Sequence, residues 1–307
     1  MFNEKIKREY ITTFENAEQI EIVFKNSANF ESILNKDLFD FDVDEIKVYY
    51  KSISSSSMFT LNTLQSKLRK YTQWAIDNNY TKTKTNHYNI ITQDMLAECF
   101  DKDTLSTQIL TEEELDSRIS RITNDSDKFI IRALFEGIRG ESYSEILGLK
   151  LSDIDSSNNV QVLNDIEIEN CYRTIKISDK LKKLAYESAR EEIYQYERSS
   201  VRLDKEYDRV LNLQLPKKGK DLEDFDKSQK SRRIYKRIRR ATKEMGMPNL
   251  SAKRIINSGI LNMIKVNAKA AGVSNIKWIN AHSKEIENQY EVFVPSLFIR
   301  EYHDYLI

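Results

Sequence analysis

Proline and glycine are scarce in this chain, at three and seven of 307 residues. With few chain breakers, a helix-rich fold with short connections is expected. Cysteine is scarcer still. Cys99 and Cys171 stand far apart, which argues against a disulfide scaffold or a zinc site and fits a reducing cytoplasm. His87, His282 and His303 are too scattered for a metal cluster, so neither metal nor cofactor is expected. No apolar run is long enough to cross a membrane, and MFNEKIKREY lacks the hydrophobic segment of a secretory signal. Net charge is missing too: 48 basic residues face 48 acidic ones. A simple nucleic-acid binder would be basic overall.

What is present is unevenly placed. The length suits two domains, and a hydrophobic fraction of 40% supports real cores. Residues 227–243 read KSQKSRRIYKRIRRATK, with nine basic residues and no acidic one. An acidic stretch, Asp221 to Asp226, precedes this run, and Lys217, Lys218 and Lys220 precede that. Acidic residues elsewhere, such as Asp37, Asp40, Asp42, Asp44 and Glu45, cancel the total. A solvated helix face is the bland alternative, but like charges four apart weaken a helix. A polyanion compensates them, because each phosphate contact releases counterions. Ile234, Ile238 and Tyr235 mark the buried side of this helix.

Periodicity outlines the rest. Ile20, Ile22 and Phe24 fit a short helix or a strand; Phe30, Ile33, Leu34 and Leu38 recur at helical spacing. A helix over 43–51 carries Val43, Ile46, Val48 and Tyr49. A hydroxyl-rich turn, Lys51 to Ser57, then caps a long helix with Phe59, Leu61, Leu64, Leu68, Tyr71, Trp74 and Ala75 on one side. Residues 80–110 form a linker with a short helix at Asp94–Phe100. Thr111 and Glu114 make a capping box where a second domain begins, with helices over 111–120 and 125–137. Val160, Val162, Ile166, Ile168, Ile175 and Ile177 alternate as strands do. A long polar helix is expected over 179–198, and helix continues to about Lys269.

The segment Leu134–Asp155 reads LFEGIRGESYSEILGLKLSDID. An apolar helix end runs into Gly137-Ile138-Arg139, and a second short helix carries Ile146, Leu147 and Leu149. A guanidinium held in such a turn offers a rigid bidentate fork to a phosphate. The pieces Glu136-Gly137-Ile138-Arg139, Ser144-Glu145-Ile146, Leu149 and Asp153-Ile154-Asp155 resemble the first arginine box of the tyrosine recombinases, the phage integrase family. About three extra residues separate Arg139 from Ser144. The resemblance covers most of residues 45–290 and extends to the order of parts that follow: a hairpin, a basic helix and a second arginine segment. Trp74-Ala75 and Asn86 are similar to positions in the family's DNA-clamping helical domain.

That resemblance implies a mainly α fold. A helical, core-binding-like domain would span 1–105, and a recombinase-like domain, mostly helical with a small antiparallel sheet, would span 110–307. It also implies a chemistry in which a tyrosine attacks the scissile phosphate while arginines, a histidine and a lysine stabilise the phosphorane and move protons. Here Arg139 and Arg254 match the two arginines, and His282 and Tyr290 match the last histidine and the nucleophile. Tyr302 and Tyr305 are rivals for the tyrosine role. Ser251 stands where the proton-carrying histidine belongs. The turn near Glu169–Tyr172 has no lysine, although Arg173 and Lys176 are close by. Asn280-Ala281 replaces the glycine before the last histidine.

Surviving arginines with lost proton carriers imply a protein that grips a phosphodiester without cutting it. The expected partner is double-stranded DNA, in a bacterial or phage-infected cytoplasm. Its expected contacts are Ser55, Lys67, Lys70, Arg139, Arg173, Lys230, Arg232, Arg233, Lys236, Arg237, Arg240, Lys253 and Arg254. The expected job is sequence-specific repression in a phage or mobile element. An active recombinase, with Lys253 or Lys176 as its acid, and a non-catalytic accessory protein are the alternatives. The aromatic tail (Phe293, Val294, Leu297, Phe298, Tyr302, Tyr305) suits a second copy of the chain or a self-docked helix equally well.

Overall fold

Asp42 and Thr111 each open a helix with a reciprocal capping box. The Asp42 carboxylate accepts from the Glu45 amide at 2.9 Å while Glu45 accepts from the Asp42 amide at 3.0 Å. Thr111 and Glu114 repeat the pattern. Two donors otherwise orphaned at each helix start are thereby satisfied. The computed structural model describes every residue except 16, 56, 164–171, 204–206, 214–226 and 292, together with the side chains of Leu163, Lys227 and Ser228. The described chain divides into two units, Met1–Thr107 and Gln108–Ile307.

The first unit is helical: α1 (Glu4–Ile11), α2 (Glu18–Leu34), α3 (Val43–Ser52), α4 (Met58–Asp77), α5 (Gln93–Ala97) and α6 (Lys102–Ser106). The ambiguous Ile20-Ile22-Phe24 alternation resolves as the start of α2, because Ile20 and Phe24, four apart, are buried and Ile22 is exposed. Tyr10, Phe24, Tyr71 and Trp74 pack ring against ring, with Phe24 and Tyr71 centroids 4.6 Å apart.

Beside these rings lies a buried charge cluster. The Lys7 ammonium bonds both Glu31 oxygens and sits 3.6 Å from Asp37. Asp37 also accepts from the Tyr71 hydroxyl at 3.1 Å. Two carboxylates thus share one cation out of water. Burial, the larger effect, pushes the Asp37 carboxyl up to about 6, against the pull of Lys7.

The second unit orders α7 (Glu112–Ile119), α8 (Asp125–Phe135), α9 (Ser144–Gly148), β1 (Asn159–Leu163), β2 (Tyr172–Lys176), α10 (Asp179–Arg190), β3 (Ile193–Gln195), β4 (Ser200–Arg202), α11 (Lys227–Glu244), α12 (Ala252–Ala271), α13 (Asn275–Tyr290), α14 (Pro295–Glu301) and α15 (His303–Leu306). Among the described residues, two sheets form, each two-stranded and antiparallel, β1 with β2 and β3 with β4. The architecture is the mainly helical one expected, with a second small sheet added.

Helix α8 is the axis of this unit, with α7, α10, α11 and α12 around it. Phe129 to Phe135 are all buried, as a helix covered on every side requires. Arg132 within this run is matched by Glu112, Asp116 and Glu136. Asp127 on the same helix is matched by Arg237, at 2.6 Å. On α12, Gly259 meets the end of α8 so closely that a β-carbon would fall 1.7 Å from the Phe135 carbonyl oxygen.

Some expectations need correction. The polar helix ends at Arg190, because the next residues alternate: Tyr194 is buried between exposed Ile193 and Gln195 in a hairpin strand. Helix does not run unbroken to Lys269. Tyr235 is half exposed, and the buried stripe of α11 is Ile234, Ile238 and Ala241. Ile166, Ile168, Cys171, the turn at 169–171, Lys217 to Lys220 and the acidic run 221–226 lie outside the described residues. Among the described residues, no helix is long and apolar enough to cross a membrane.

The Lys7 cluster makes a pH prediction. Folded Asp37 holds a proton to about 6 and unfolded Asp37 only to about 3.9, so the folded state binds more protons in between. Stability is therefore lost as pH rises through that window, by up to about 3 kcal/mol. Asp37→Asn should abolish this slope and raise the melting temperature at pH 7.5. Melting curves at pH 5 and 7.5 check both effects.

Candidate functional site

The end of α8 decides where Arg139 stands. A helix C-terminus leaves carbonyls without partners. Here the amides of Ile138 and Gly137 fold back onto Ala133 and Leu134 at 2.8 and 3.3 Å, a Schellman cap with Gly137 at φ +98°. Three side chains satisfy the carbonyls beyond. The Tyr290 hydroxyl donates to Phe135 O at 3.0 Å, Gln289 Nε2 to Glu136 O at 2.6 Å, and Arg173 Nη2 to Gly137 O at 2.7 Å. The backbone of α13 lies so close that a β-carbon on Gly137 would fall 2.1 Å from Gln289 O. Gly137 thus supplies a left-handed conformation and clearance together.

The chain leaves this cap into Arg139, whose side chain is exposed. Its amide donates to Glu145 Oε2 at 2.7 Å, so the backbone is fixed while the guanidinium faces solvent. Glu291, just past α13, is near enough for Arg139 and Arg173 to pull its carboxyl down. Burial is the larger effect and holds it up. The three-residue insertion forms the turn Glu141–Tyr143, where Ser142 and Tyr143 are left-handed.

The other two arginines of this region are turned inward. Arg173 on β2 bonds both oxygens of the buried Glu145, at 2.5 and 2.7 Å, and also the carbonyls of Asn288 and Gly137. It staples β2, α9, α13 and the α8 cap together. Arg254 on α12 is buried against α14. Its Nη1 bonds Glu301 at 2.7 Å and the Tyr302 hydroxyl, to which Asn257 also donates. The expectation of solvent-facing phosphate contacts at Arg173 and Arg254 is therefore corrected. Each spends its charge on a carboxylate of its own chain.

The remaining recombinase-like positions have structural partners. Tyr290 is buried, and that burial pushes its hydroxyl well above the usual phenol range. Tyr302 is held by Arg254, and Tyr305 lies over Lys265. His282 stacks on Trp278 with centroids 4.7 Å apart and interplanar angle 8°, and its Nδ1 meets Trp278 O at 3.0 Å. A carbonyl only accepts, so that nitrogen carries the proton. Ser251, in the histidine slot, is the N-cap of α12 and accepts from the Arg254 amide at 3.3 Å.

Helix α11 divides its cations. Arg232, Lys236 and Arg239 are exposed, and Lys230 and Arg233 are half-buried. Arg237 is only a tenth exposed, held on buried Asp127 and over the Tyr194 ring at 4.6 Å. Its place as a phosphate contact is corrected, because a buried carboxylate requires a counter-charge. Arg240 pairs with Glu244 at 3.1 Å and lies over Tyr194 and Tyr196. Lys253 is exposed at the start of α12. In the first unit Lys70 is exposed and Lys67 bonds Gln19 at 2.9 Å. Ser55 is buried, its hydroxyl bonded within its own turn, so it is not an open phosphate contact. The sequence reading missed Glu145 and Glu301 as partners of the arginines. It also missed Trp278, although its i,i+4 spacing from His282 is a local signal.

Residues 1–77 match the family model described as MrpR, N-terminal core-binding domain, and residues 109–301 match MrpR, C-terminal catalytic domain. The SPbeta prophage-derived uncharacterized protein YopR of Bacillus subtilis (strain 168) is 28% identical over 197 residues. That match covers 63% of this chain and 60% of the relative, so the chain spans about three fifths of the relative's length. The crystal structure of XerA recombinase aligns over 98% of this chain and 97% of its own. The TM-score is 0.36 and the identity 14%.

Removing the Tyr290 hydroxyl leaves Phe135 O buried without its donor. Tyr290→Phe should therefore lower unfolding stability by about 1–2 kcal/mol, measured by urea denaturation. Gly259→Ala should cost far more, because its β-carbon would overlap the same carbonyl.

Proposed function

The chain belongs to the MrpR family, and from that premise we propose that it is a sequence-specific double-stranded DNA-binding protein whose integrase-like body performs no strand cleavage. Its role in this reading is transcriptional repression in a phage or mobile element. The observation that carries the reading is the inward Tyr290 hydroxyl. It is spent on a helix-end carbonyl, in surroundings that oppose ionisation, whereas a nucleophile must reach a phosphate. Ser251 supports the same reading. As an N-cap it completes a helix, and a serine cannot relay protons near neutral pH as an imidazole does.

The grip on DNA would come from cations that the fold leaves outward. Arg139, held at the α8 cap, is one; Arg232, Lys236, Arg239 and Lys253 on α11 and α12 are others, with Lys70 in the first unit. Such contacts orient a protein on the duplex, and base contacts then specify the site. The Bacillus relative is prophage-derived, which supports a phage setting for this chain. The family's description labels the C-terminal part catalytic; in our reading it is a binding module in this chain.

One experiment separates binding from cutting. Random duplex DNA is incubated with the protein and bound fragments are sequenced, while a denaturing gel detects covalent adducts. Enrichment of one motif without an adduct is expected. An adduct that disappears with Tyr290→Phe would make the protein an active recombinase and overturn the proposal.

A further inference from the structure

The hairpin β3–β4 packs beside α11 and leaves a cavity of about 350 Å³. Its lining is Tyr194, Tyr196, Leu203 and Leu213, with Arg233, Lys236, Arg237 and Arg240 from one face of α11. Among the described residues, four cations and no carboxylate line this space. Positions 233, 236, 237 and 240 recur at three and four residues, so one helix face supplies them all. Arg237 is answered by Asp127, and Arg240 in part by Glu244.

Two details favour an anion with a flat body. Arg240 lies over the Tyr194 and Tyr196 rings, 5.3 and 4.9 Å from their centroids, and the rings themselves meet edge to face. Its Nη1 is buried without a hydrogen-bond acceptor. A buried donor lacking an acceptor is costly, and an entering anionic oxygen would relieve it. Tyr196 keeps 44% of its surface exposed, which leaves a platform for stacking. Arg233 and Lys236 suit a phosphate, the arginine as a fork and the lysine as a point charge. An acidic peptide suits the pocket less well, since no carboxylate among the described lining residues would accept its amides.

We propose that this pocket binds one nucleotide unit, its phosphate held by Arg233, Lys236 and Arg240 and its base stacked at Tyr196. The inference does not depend on the duplex-binding reading. The unit comes either from a free mononucleotide or from an unstacked position in a DNA strand.

The test titrates the full chain with adenosine 5′-monophosphate by calorimetry, with adenosine and inorganic phosphate as separate halves. Saturable binding of one nucleotide per chain, tighter than either half, is expected. Tyr196→Ala should weaken it about tenfold and leave phosphate binding unchanged. Lys236→Gln, at an exposed position, should weaken the nucleotide and the phosphate alike. Nucleotide binding no tighter than phosphate, or indifferent to Tyr196→Ala, would overturn the proposal, as would tighter binding of an acidic tetrapeptide. Adding a short duplex separates the sources. Displacement of the nucleotide points to a unit within DNA, and simultaneous binding points to a free nucleotide.

Discussion

The end of α8 is the constraint on which the second unit depends. A helix buried on every side cannot leave its last carbonyls to water, so the fold must supply donors. A Schellman turn supplies two, and Tyr290, Gln289 and Arg173 supply the rest from α13 and β2. Those three side chains fix α13 and the first hairpin against α8. The same turn projects Arg139 outward, so its exposure follows from the packing beneath it. A tyrosine drawn into this role is a structural donor, and the proposal of a non-cleaving body rests on that geometry.

A second regularity explains how a neutral chain carries a polarised surface. Cations that enter the interior have dedicated carboxylates: Arg132 has Glu112, Asp116 and Glu136, Arg173 has Glu145, Arg237 has Asp127, and Arg254 has Glu301. Breaking such buried pairs is expensive because the survivor is left without a counter-charge. The acids that cancel the total charge are therefore partly interior. Outward cations on α11 and at Arg139 keep their field, and that field is what the DNA-binding proposal uses.

Local features were legible in the sequence. The capping box at Thr111 is spelled out within four residues, and the stripe of α4 and the alternation in β1 and β2 are short-range patterns. The Arg139 turn was visible from its glycines. The fates of the arginines were not, because their partners are remote: Glu301 is 47 residues from Arg254, and Asp127 is 110 from Arg237. A basic run reads alike whether an arginine faces water or a buried aspartate. The three-residue strands β3 and β4 were also missed, since so short a stretch has no periodicity to separate it from the end of a polar helix.

The central claim is that Arg139 meets the DNA backbone while Arg254 holds the C-terminal helix. The most direct measurement is the salt dependence of duplex binding, with melting temperatures, for Arg139→Ala and Arg254→Ala. The account predicts that Arg139→Ala lowers the slope of log affinity against log salt by about one and leaves the melting temperature unchanged. Arg254→Ala should lower the melting temperature and keep the slope. A lowered slope for Arg254→Ala together with an unchanged slope for Arg139→Ala would contradict the account.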